Sequence, residues 1–368
     1  MSEAVQPVVW FDDVAGVDRD QLGGKLRSLV ELTEAGFPVP PGFGVAVDAF
    51  RWFAREIGLE SRLRTLSPEL QGAEIGELRS VSDELSKLIL EAEMPDHIRA
   101  GITAAYEELE RRTGCENVPV AVRSSGVNED LEGASFAGQY ETYLWICGAD
   151  AVAEHVQRCW AGVVSPEVLS YKPNESTGAQ PAAVDGMSVV VQQMARSRCS
   201  GVAFTLDPVN GDRSKIVIES CWGLGEGVVK GDVTPDRFKF DKVTLDPLEE
   251  DISSQEAEYR FDEGSGGVKL MAIENGRGSS PSLGREEARA VAELAKRVER
   301  SRGGVAQSHG GAPADPGRGC RVLRSRHDRC HQRDHRGQGR PNRVADHPGI
   351  PGDLRHARWC PSARRRSH

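Results

Sequence analysis

The 368-residue sequence lacks any apolar run close to the ~20 residues that a membrane-spanning helix needs. Aromatic residues make up only 6% of the chain, and its eight cysteines are not spaced as a disulfide framework. The first residues, MSEAVQPVVWFDD, have neither the basic nor the apolar region of a secretory signal. The sequence therefore predicts a cytoplasmic location, reduced thiols and no membrane partner.

Charge is distributed unevenly along the chain. Residues 308–368 contain fourteen Arg and five Asp but no Lys or Glu, which gives this segment a charge of +9. The preceding residues must then carry −19 for the net charge to be −10. Because an acidic surface repels phosphate backbones, we do not expect the body of the protein to bind nucleic acid.

The segment from residue 307 to 368 has no hydrophobic periodicity and is rich in Arg, Gly, Pro and His. Such a composition cannot bury enough apolar surface to offset the entropy of ordering, so the tail is predicted to be disordered. Three interpretations remain: a basic tail for nucleic acid, a Cys/His metal site, or translation of a GC-rich gene in a shifted frame. Cys330, His331 and His335 lack a paired CxxC, which disfavours zinc. The absence of Lys favours the frameshift.

The body of the chain predicts an α/β (α+β) fold in two lobes. Apolar residues recur at helical spacing from Pro68 to Arg112 and again from Arg285 to Gly303, whereas the segments VPVAVRSS, MSVVVQQM and KIVIESCWG are β-rich. The regular alternation of a doubly wound sheet is missing. We expect one lobe with a helical insert over residues 1–186 and a second, more β-rich lobe over residues 187–306.

Two basic residues stand where they could hold an anion. Lys25 follows LGG and opens a predicted helix, whose first N–H groups are expected to be open to a phosphate. Arg123 ends the strand VAVR, and the loop GASFAGQ (Gly133–Gln139) is small enough to fold over a polyphosphate. The alternatives are a solvated lysine in the first turn, an arginine paired with Glu129 or Asp130, and a simple hairpin tip.

In chain order, these segments resemble a known family. The matching segments are GGK, PVPPGFGV, VAVRSS…EDLEGASFAGQYETYL, VVVQQM, SGVAFTLDP and IESCWGLGEGVVKGDVTPD, spread over about residues 8–303. They resemble the N-terminal ATP-binding domain of phosphoenolpyruvate synthase and pyruvate phosphate dikinase, a variant of the two-lobed ATP-grasp fold. Rifampicin phosphotransferase and phenylphosphate synthase are similar over the same region.

The resemblance implies that ATP binds between the lobes and that its phosphoryl group passes to a histidine carrier and then to pyruvate. Lys25 and Arg123 would bind the phosphates and act in catalysis. The positions around the phosphate loop match Gly138, Thr142 and Tyr143. The positions on the strand that reads adenine match Gln192 and Met194.

The resemblance also implies what is missing. In the family, the helix matching Arg285–Gly303 precedes strands reading D-I-E-W and Q-x-R-P, whose Glu and Gln would hold Mg²⁺. After VERSRGGVAQ the sequence continues SHGGAPADPGRG, where neither pattern appears, so no metal ligand is predicted and the family pattern is expected to end near Gln307. The chain would then be catalytically incomplete, and a downstream polypeptide with the phosphohistidine and phosphoenolpyruvate-binding domains would act in trans. A non-catalytic nucleotide-binding or regulatory module, and a fragment of a rifampicin phosphotransferase-like kinase, remain alternatives.

Overall fold

The computed structural model describes residues 7–14, 16–19, 22–70, 73–126, 141–170, 186–274, 276–308 and 321–322, with only the backbone described at 67–70, 302–308 and 321–322. The helices are α1 (Gly24–Glu34), α2 (Val47–Glu56), α3 (Leu59–Leu70), α4 (Ile75–Glu91), α5 (Asp96–Thr113), α6 (Ala149–Ala161), α7 (Pro166–Ser170), α8 (Glu226–Lys230) and α9 (Arg285–Ser308). The strands are β1 (Val8–Trp10), β2 (Gly42–Val45), β3 (Val120–Gly126), β4 (Thr142–Ile146), β5 (Met187–Gln193), β6 (Cys199–Phe204), β7 (Lys215–Trp222), β8 (Asp236–Asp241), β9 (Pro247–Asp251), β10 (Ala257–Asp262), β11 (Gly267–Ala272) and β12 (Arg321–Val322).

The first sheet has the order β1-β2-β5-β3-β4, and all of its pairings are antiparallel. Its central strand β5 is apolar at consecutive positions because helices cover both faces of the sheet. Val190 packs with Leu26 of α1 on one face, whereas Val189 and Val191 belong to a larger core on the other. Successive side chains of a strand point to opposite faces, so a run of valines supplies both cores at once.

The larger core lies between the first sheet and the helices α2 to α6. Phe50 and Phe53 of α2 pack against Trp160 of α6, with ring centroids 5.9 and 5.1 Å apart. These residues are buried with Ile98 and Ile102 of α5. The spacing of three or four residues along each helix is that of a helix with one buried stripe, which is the pattern the sequence predicts for this region.

The second sheet has the order β12-β6-β7-β8-β9, again with antiparallel neighbours. One face is covered by α9, whose Ala288, Ala292 and Ala295 pack among Ile218 of β7 and Phe238 of β8. Alanine at intervals of three and four residues lets the helix approach the sheet closely. The hairpin of β10 and β11 forms a separate two-stranded sheet.

The fold confirms the predicted mixture of helices and antiparallel sheets. The expected boundary between residues 186 and 187 differs from the strand pairing, because β5 lies in the middle of the first sheet and the chain enters the second sheet only at Cys199. Of the tail, the structure describes the end of α9 and Arg321–Val322, which pairs with β6. The rest of the segment predicted to be disordered lies outside the described residues. No helix among the described residues is long and apolar enough to cross a membrane.

Candidate functional site

Arg123 lies in the middle of β3 and not at the end of a strand as the sequence predicted, and most of the basic and polar groups that the sequence singled out lie near it. Arg123 lies on β3 between Thr142 of β4 and Val190 of β5, its antiparallel partners. Its side chain is half-buried, and Thr142 is exposed at the first position of β4. The strand pairing therefore places Arg123 beside the residue that follows the predicted phosphate loop.

Lys25 reaches the same strand from α1. Its ammonium Nζ donates a hydrogen bond of 2.9 Å to the carbonyl oxygen of Ser124, the residue after Arg123. The approach is close because Gly23 lies against β3: a Cβ added there would be only 2.1 Å from the carbonyl oxygen of Ser125. A side chain larger than hydrogen at position 23 would push α1, and Lys25 with it, away from the strand.

The sequence suggested that the first N–H groups of α1 would be open to a ligand, but in the structure they have protein acceptors. The N–H groups of Lys25 and Leu26 both donate to Ser125 Oγ, at 3.0 and 3.3 Å, and that of Gly23 donates to Ser188 Oγ at 3.2 Å. The two serines are joined in turn, because Ser188 Oγ donates to the carbonyl oxygen of Ser125. Serines distant in sequence thus cap the helix, a role that local sequence rules cannot reveal.

Tyr143, the second residue of β4, turns toward α6. Its ring meets the edge of the His155 ring with centroids 4.8 Å apart, and its hydroxyl donates to the carboxylate of Glu141. Gly138, the other residue predicted near the phosphate loop, lies outside the described residues.

Gln192 and Met194 lie at the opposite end of β5 from Ser188. Gln192 is four positions after Ser188 along the strand, a distance of about 13 Å. The Gln192 side-chain amide donates to the carbonyl oxygen of Pro40 at 3.1 Å, and the Met194 N–H donates to that of Pro119 at 2.8 Å. Both donors expected to read a base therefore have protein partners in this structure.

The second sheet carries charged residues that the sequence analysis did not assign. The carboxylate of Asp207, only 2% exposed, lies 3.2 Å from Lys239 Nζ and 3.5 Å from Arg237 Nη2. The hydrogen bond from the N–H of Val209, with the nearby lysine and arginine, holds the pKa of Asp207 below its usual range. Lys239 also pairs with Glu249 at 2.9 Å. The arrangement is a closed network of opposite charges, which the sequence hides because its members come from three separate segments.

Asp236 is another buried carboxylate outside the predicted set. It accepts hydrogen bonds from the N–H of Ser253 at 3.0 Å and from the N–H and hydroxyl of Ser282 at 2.7 and 2.6 Å. These partners satisfy it within the protein, so it joins β8 to the segment entering α9. Within the residues that the structure describes, no group of three or more His, Cys, Asp or Glu side chains could hold a metal ion.

The part of the chain that carries Lys25, Arg123 and the β3–β4 strand pair matches a known protein family. The family described as pyruvate phosphate dikinase, AMP/ATP-binding domain, matches residues 19–306. The chain belongs to this family. The matched residues include α1, the strands β2 to β5 of the first sheet, the strands β6 to β9 of the second sheet and most of α9. The match ends at residue 306, one residue before Gln307, where the family pattern was expected to end.

Full-length relatives support the same assignment. A probable phosphoenolpyruvate synthase of Methanocaldococcus jannaschii is 36% identical over 301 residues, which cover 82% of this chain and 25% of the relative. The phosphoenolpyruvate synthase of Aeropyrum pernix is 37% identical over 316 residues, 79% of this chain and 38% of the relative. A probable phosphoenolpyruvate synthase of Staphylothermus marinus is 36% identical over 320 residues, 80% of this chain and 38% of the relative. The chain spans between a quarter and two fifths of the length of these curated relatives.

Proposed function

We propose that this chain binds ATP through the first sheet and serves as the nucleotide-binding part of a phosphotransferase of the phosphoenolpyruvate synthase type. The observation that carries the proposal is the position of Lys25, whose ammonium is fixed 2.9 Å from the backbone oxygen of Ser124, next to Arg123. Two cations beside the same strand, next to the first residues of β4, suit a triphosphate better than a neutral ligand.

The chemistry of phosphoryl transfer requires mainly positioning and charge stabilisation. In the proposed site, Lys25 binds phosphate oxygens as a point charge. Arg123 offers a planar guanidinium that can hold two oxygens of the transferred group at once. Thr142 and Tyr143 stand at the start of β4, and Gly138 belongs to the same proposed phosphate loop.

Adenine is assigned to the other end of β5, near Gln192 and Met194. One N–H of the Gln192 amide is bonded to Pro40, so the base would accept from the second N–H of that amide or bond to acceptor atoms of this segment. Along β5, Gln192 lies about 7 Å from Val190, the partner of Arg123, and about 13 Å from Ser188 beside α1.

The proposal assigns only part of the phosphoryl-transfer reaction to this chain. In the relatives' reaction, we infer, the phosphoryl group goes to a histidine carrier and then to pyruvate. Among the described residues, no group of three or more His, Cys, Asp or Glu side chains could hold a metal ion. The D-I-E-W pattern does not occur in the sequence, and Q-x-R-P occurs only at residues 338–341 of the tail, which lie outside the described residues. We therefore propose that the chain binds ATP without turning it over, and that turnover needs a polypeptide carrying the metal ligands, the phosphohistidine and the phosphoenolpyruvate site.

Isothermal titration calorimetry with ATP, in the presence and absence of Mg²⁺, tests the binding step. Saturable ATP binding that is lost in Lys25→Met and Arg123→Ala supports the proposal, whereas an absence of binding by the folded chain contradicts it. Release of phosphate from ATP by the chain alone would contradict the proposal that this chain does not turn ATP over. Binding without turnover also fits a purely regulatory nucleotide-binding module, and adding a downstream polypeptide from a relative separates the two functions.

A further inference from the structure

The hairpin of β10 and β11 is fixed at its base to the second sheet. The N–H of Leu224, just after β7, donates to the carbonyl oxygen of Tyr259 at 2.7 Å. Gly223 makes this approach possible: its φ is +74°, and an added Cβ would lie 2.3 Å from the same oxygen. The hydroxyl of Tyr259 donates to Asp232 at 2.7 Å. Two hydrogen bonds of Tyr259 thus hold β10 to the segment that follows β7.

An ion pair with a buried carboxylate strengthens this attachment. Glu258, only 2% exposed, accepts a hydrogen bond from Arg277, and Arg260 lies 3.6 Å away. The guanidinium of Arg277 also lies 4.8 Å from the centre of the Trp222 ring at the end of β7. Because an unpaired buried carboxylate is costly, the ion pair helps to hold the base of the hairpin to the second sheet.

The far part of the hairpin reaches the first sheet. The ring of Phe261, next to the turn of the hairpin, stacks on the ring of Trp145 in β4, with centroids 4.9 Å apart and planes inclined by 16°. The hairpin therefore forms an arm that starts on the second sheet and ends on the strand that opens with Thr142. Such a stack stabilises the contact beyond the area it buries.

Trp145 is held in a conformation that a tryptophan seldom adopts. Its φ is +63°, and the pairing of β4 with β3 shifts there, because Leu144 and Trp145 stand opposite the single residue Ala121. This is a β-bulge, which redirects a side chain that a regular strand would point elsewhere. A bulky residue at positive φ persists only where its surroundings hold it, and Phe261 is part of those surroundings.

We propose that Trp145 and Phe261 are positioning residues for the polyphosphate part of the nucleotide. The proposal rests on the proposed function, because it concerns how the second sheet sets the position of the phosphate-binding strand. The bulge lies three residues from Thr142, the partner of Arg123, so the stack fixes the twist of β4 where the phosphate loop returns to the sheet.

The test compares binding of ATP with binding of AMP by the full-length chain, measured by calorimetry. In Phe261→Ala we expect the affinity for ATP to fall about five- to tenfold, the range that corresponds to loss of an aromatic pair. The affinity for AMP should change less than twofold. Phe261→Tyr, which keeps the ring, should restore ATP binding, and Leu270→Ala, which truncates a side chain 44% exposed on the same hairpin, should bind ATP like the wild type. A merely structural role would lower both affinities together.

The proposal is overturned if Phe261→Ala binds ATP as the wild type does, or if ATP and AMP weaken equally. A second measurement keeps the two proposals apart. If the wild-type chain bound no ATP, the proposed function would be rejected independently of the role of the hairpin. Hydrogen–deuterium exchange would then test whether the hairpin arm holds β4. Faster exchange in residues 142–146 of Phe261→Ala, with β1 and β2 unchanged, supports an arm that holds β4, whereas unchanged exchange overturns it.

Discussion

The ammonium of Lys25 and the carbonyl oxygen of Ser124 are joined by a hydrogen bond of 2.9 Å, although the two residues are 99 positions apart in sequence. The bond fixes a positive charge on the strand that also carries Arg123. Serine hydroxyls from β3 and β5 hold the helix end that supports it. The cationic end of the site is therefore preorganised by the protein before a ligand arrives.

Removing the charge of Lys25 should weaken nucleotide binding. In Lys25→Met we expect a loss of ATP affinity of about 10- to 100-fold, since hydrogen bonds to charged groups contribute roughly 1.5–3 kcal/mol. Calorimetry with ATP measures this. Lys87→Met, which removes a lysine whose side chain is 71% exposed on α4, is the matched control and should bind normally. Equal ATP affinity in Lys25→Met and the wild type would show that Lys25 has no role in binding.

The serine cap on α1 should contribute measurable stability. Ser125→Ala leaves the N–H groups of Lys25 and Leu26 without their acceptor, and loss of a helix cap costs about 1–2 kcal/mol of the free energy of unfolding. Urea denaturation followed by circular dichroism measures the loss. Ser80→Ala, at an exposed position within α4, should change the free energy of unfolding by less than about 0.5 kcal/mol. Equal losses of the free energy of unfolding in Ser125→Ala and Ser80→Ala would count against a stabilising cap on α1.

The charged network on the second sheet predicts a pH dependence of stability. The pKa of Asp207 is lower in the folded protein than its ordinary value, so its contribution is fully present above the unfolded pKa of about 3.9 and is lost as pH falls through the folded pKa. In Asp207→Asn we expect a lower free energy of unfolding at pH 7. The difference from the wild type should shrink as pH falls below about 4.

Urea unfolding at several pH values between neutral and acid measures the Asp207 effect. The control is Asp150→Asn, because the side chain of Asp150 is 97% exposed and should contribute no comparable pH-dependent difference. A difference between Asp207→Asn and the wild type that stayed constant down to pH 3 would show that ionisation of Asp207 is unimportant.

Gly223 should be sensitive to substitution for a reason separate from its backbone conformation. Gly223 and Gly231 have nearly the same φ, +74° and +75°, but an added Cβ meets Tyr259 only at position 223. Gly231→Ala should therefore show the conformational cost alone, about 1 kcal/mol, and Gly223→Ala should lose more and expose β10 to hydrogen exchange. Equal destabilisation of the two variants, with equal exchange in β10, would remove the basis for a tight attachment of the hairpin.

The sequence predicted those parts of the fold that depend on local pattern. Helix α9 and the strand VAVR have strong periodicity or β-branched composition, and the motif order pointed to Lys25 and Arg123. The capping of α1 by Ser125 and Ser188 could not be predicted, because it joins segments about 100 and 160 residues apart. The partners of Gln192 and Met194 were missed for the same reason: both bonds go to proline carbonyls in distant loops.

The strand β5 was expected to open the second lobe, whereas its pairings are with β2 and β3 of the first sheet. Its apolar run is compatible with the core of either sheet, and only pairing decides between them. The Trp145 bulge shows a different limit. A tryptophan in a β-rich segment predicts ordinary strand geometry, whereas its positive φ depends on a partner ring more than 100 residues away.

The central place of β5 has a consequence for how the chain folds during synthesis. Gly42 pairs with Gln192, so the strand that completes the first sheet is made 150 residues after its neighbour β2. Until residue 193 has left the ribosome, β2 and β3 have no common strand between them, and the apolar faces of α1 and α6 have only part of their surface to pack on. Contacts this distant in sequence slow folding, and nascent chains ending before β5 should be those that chaperones and proteases recognise.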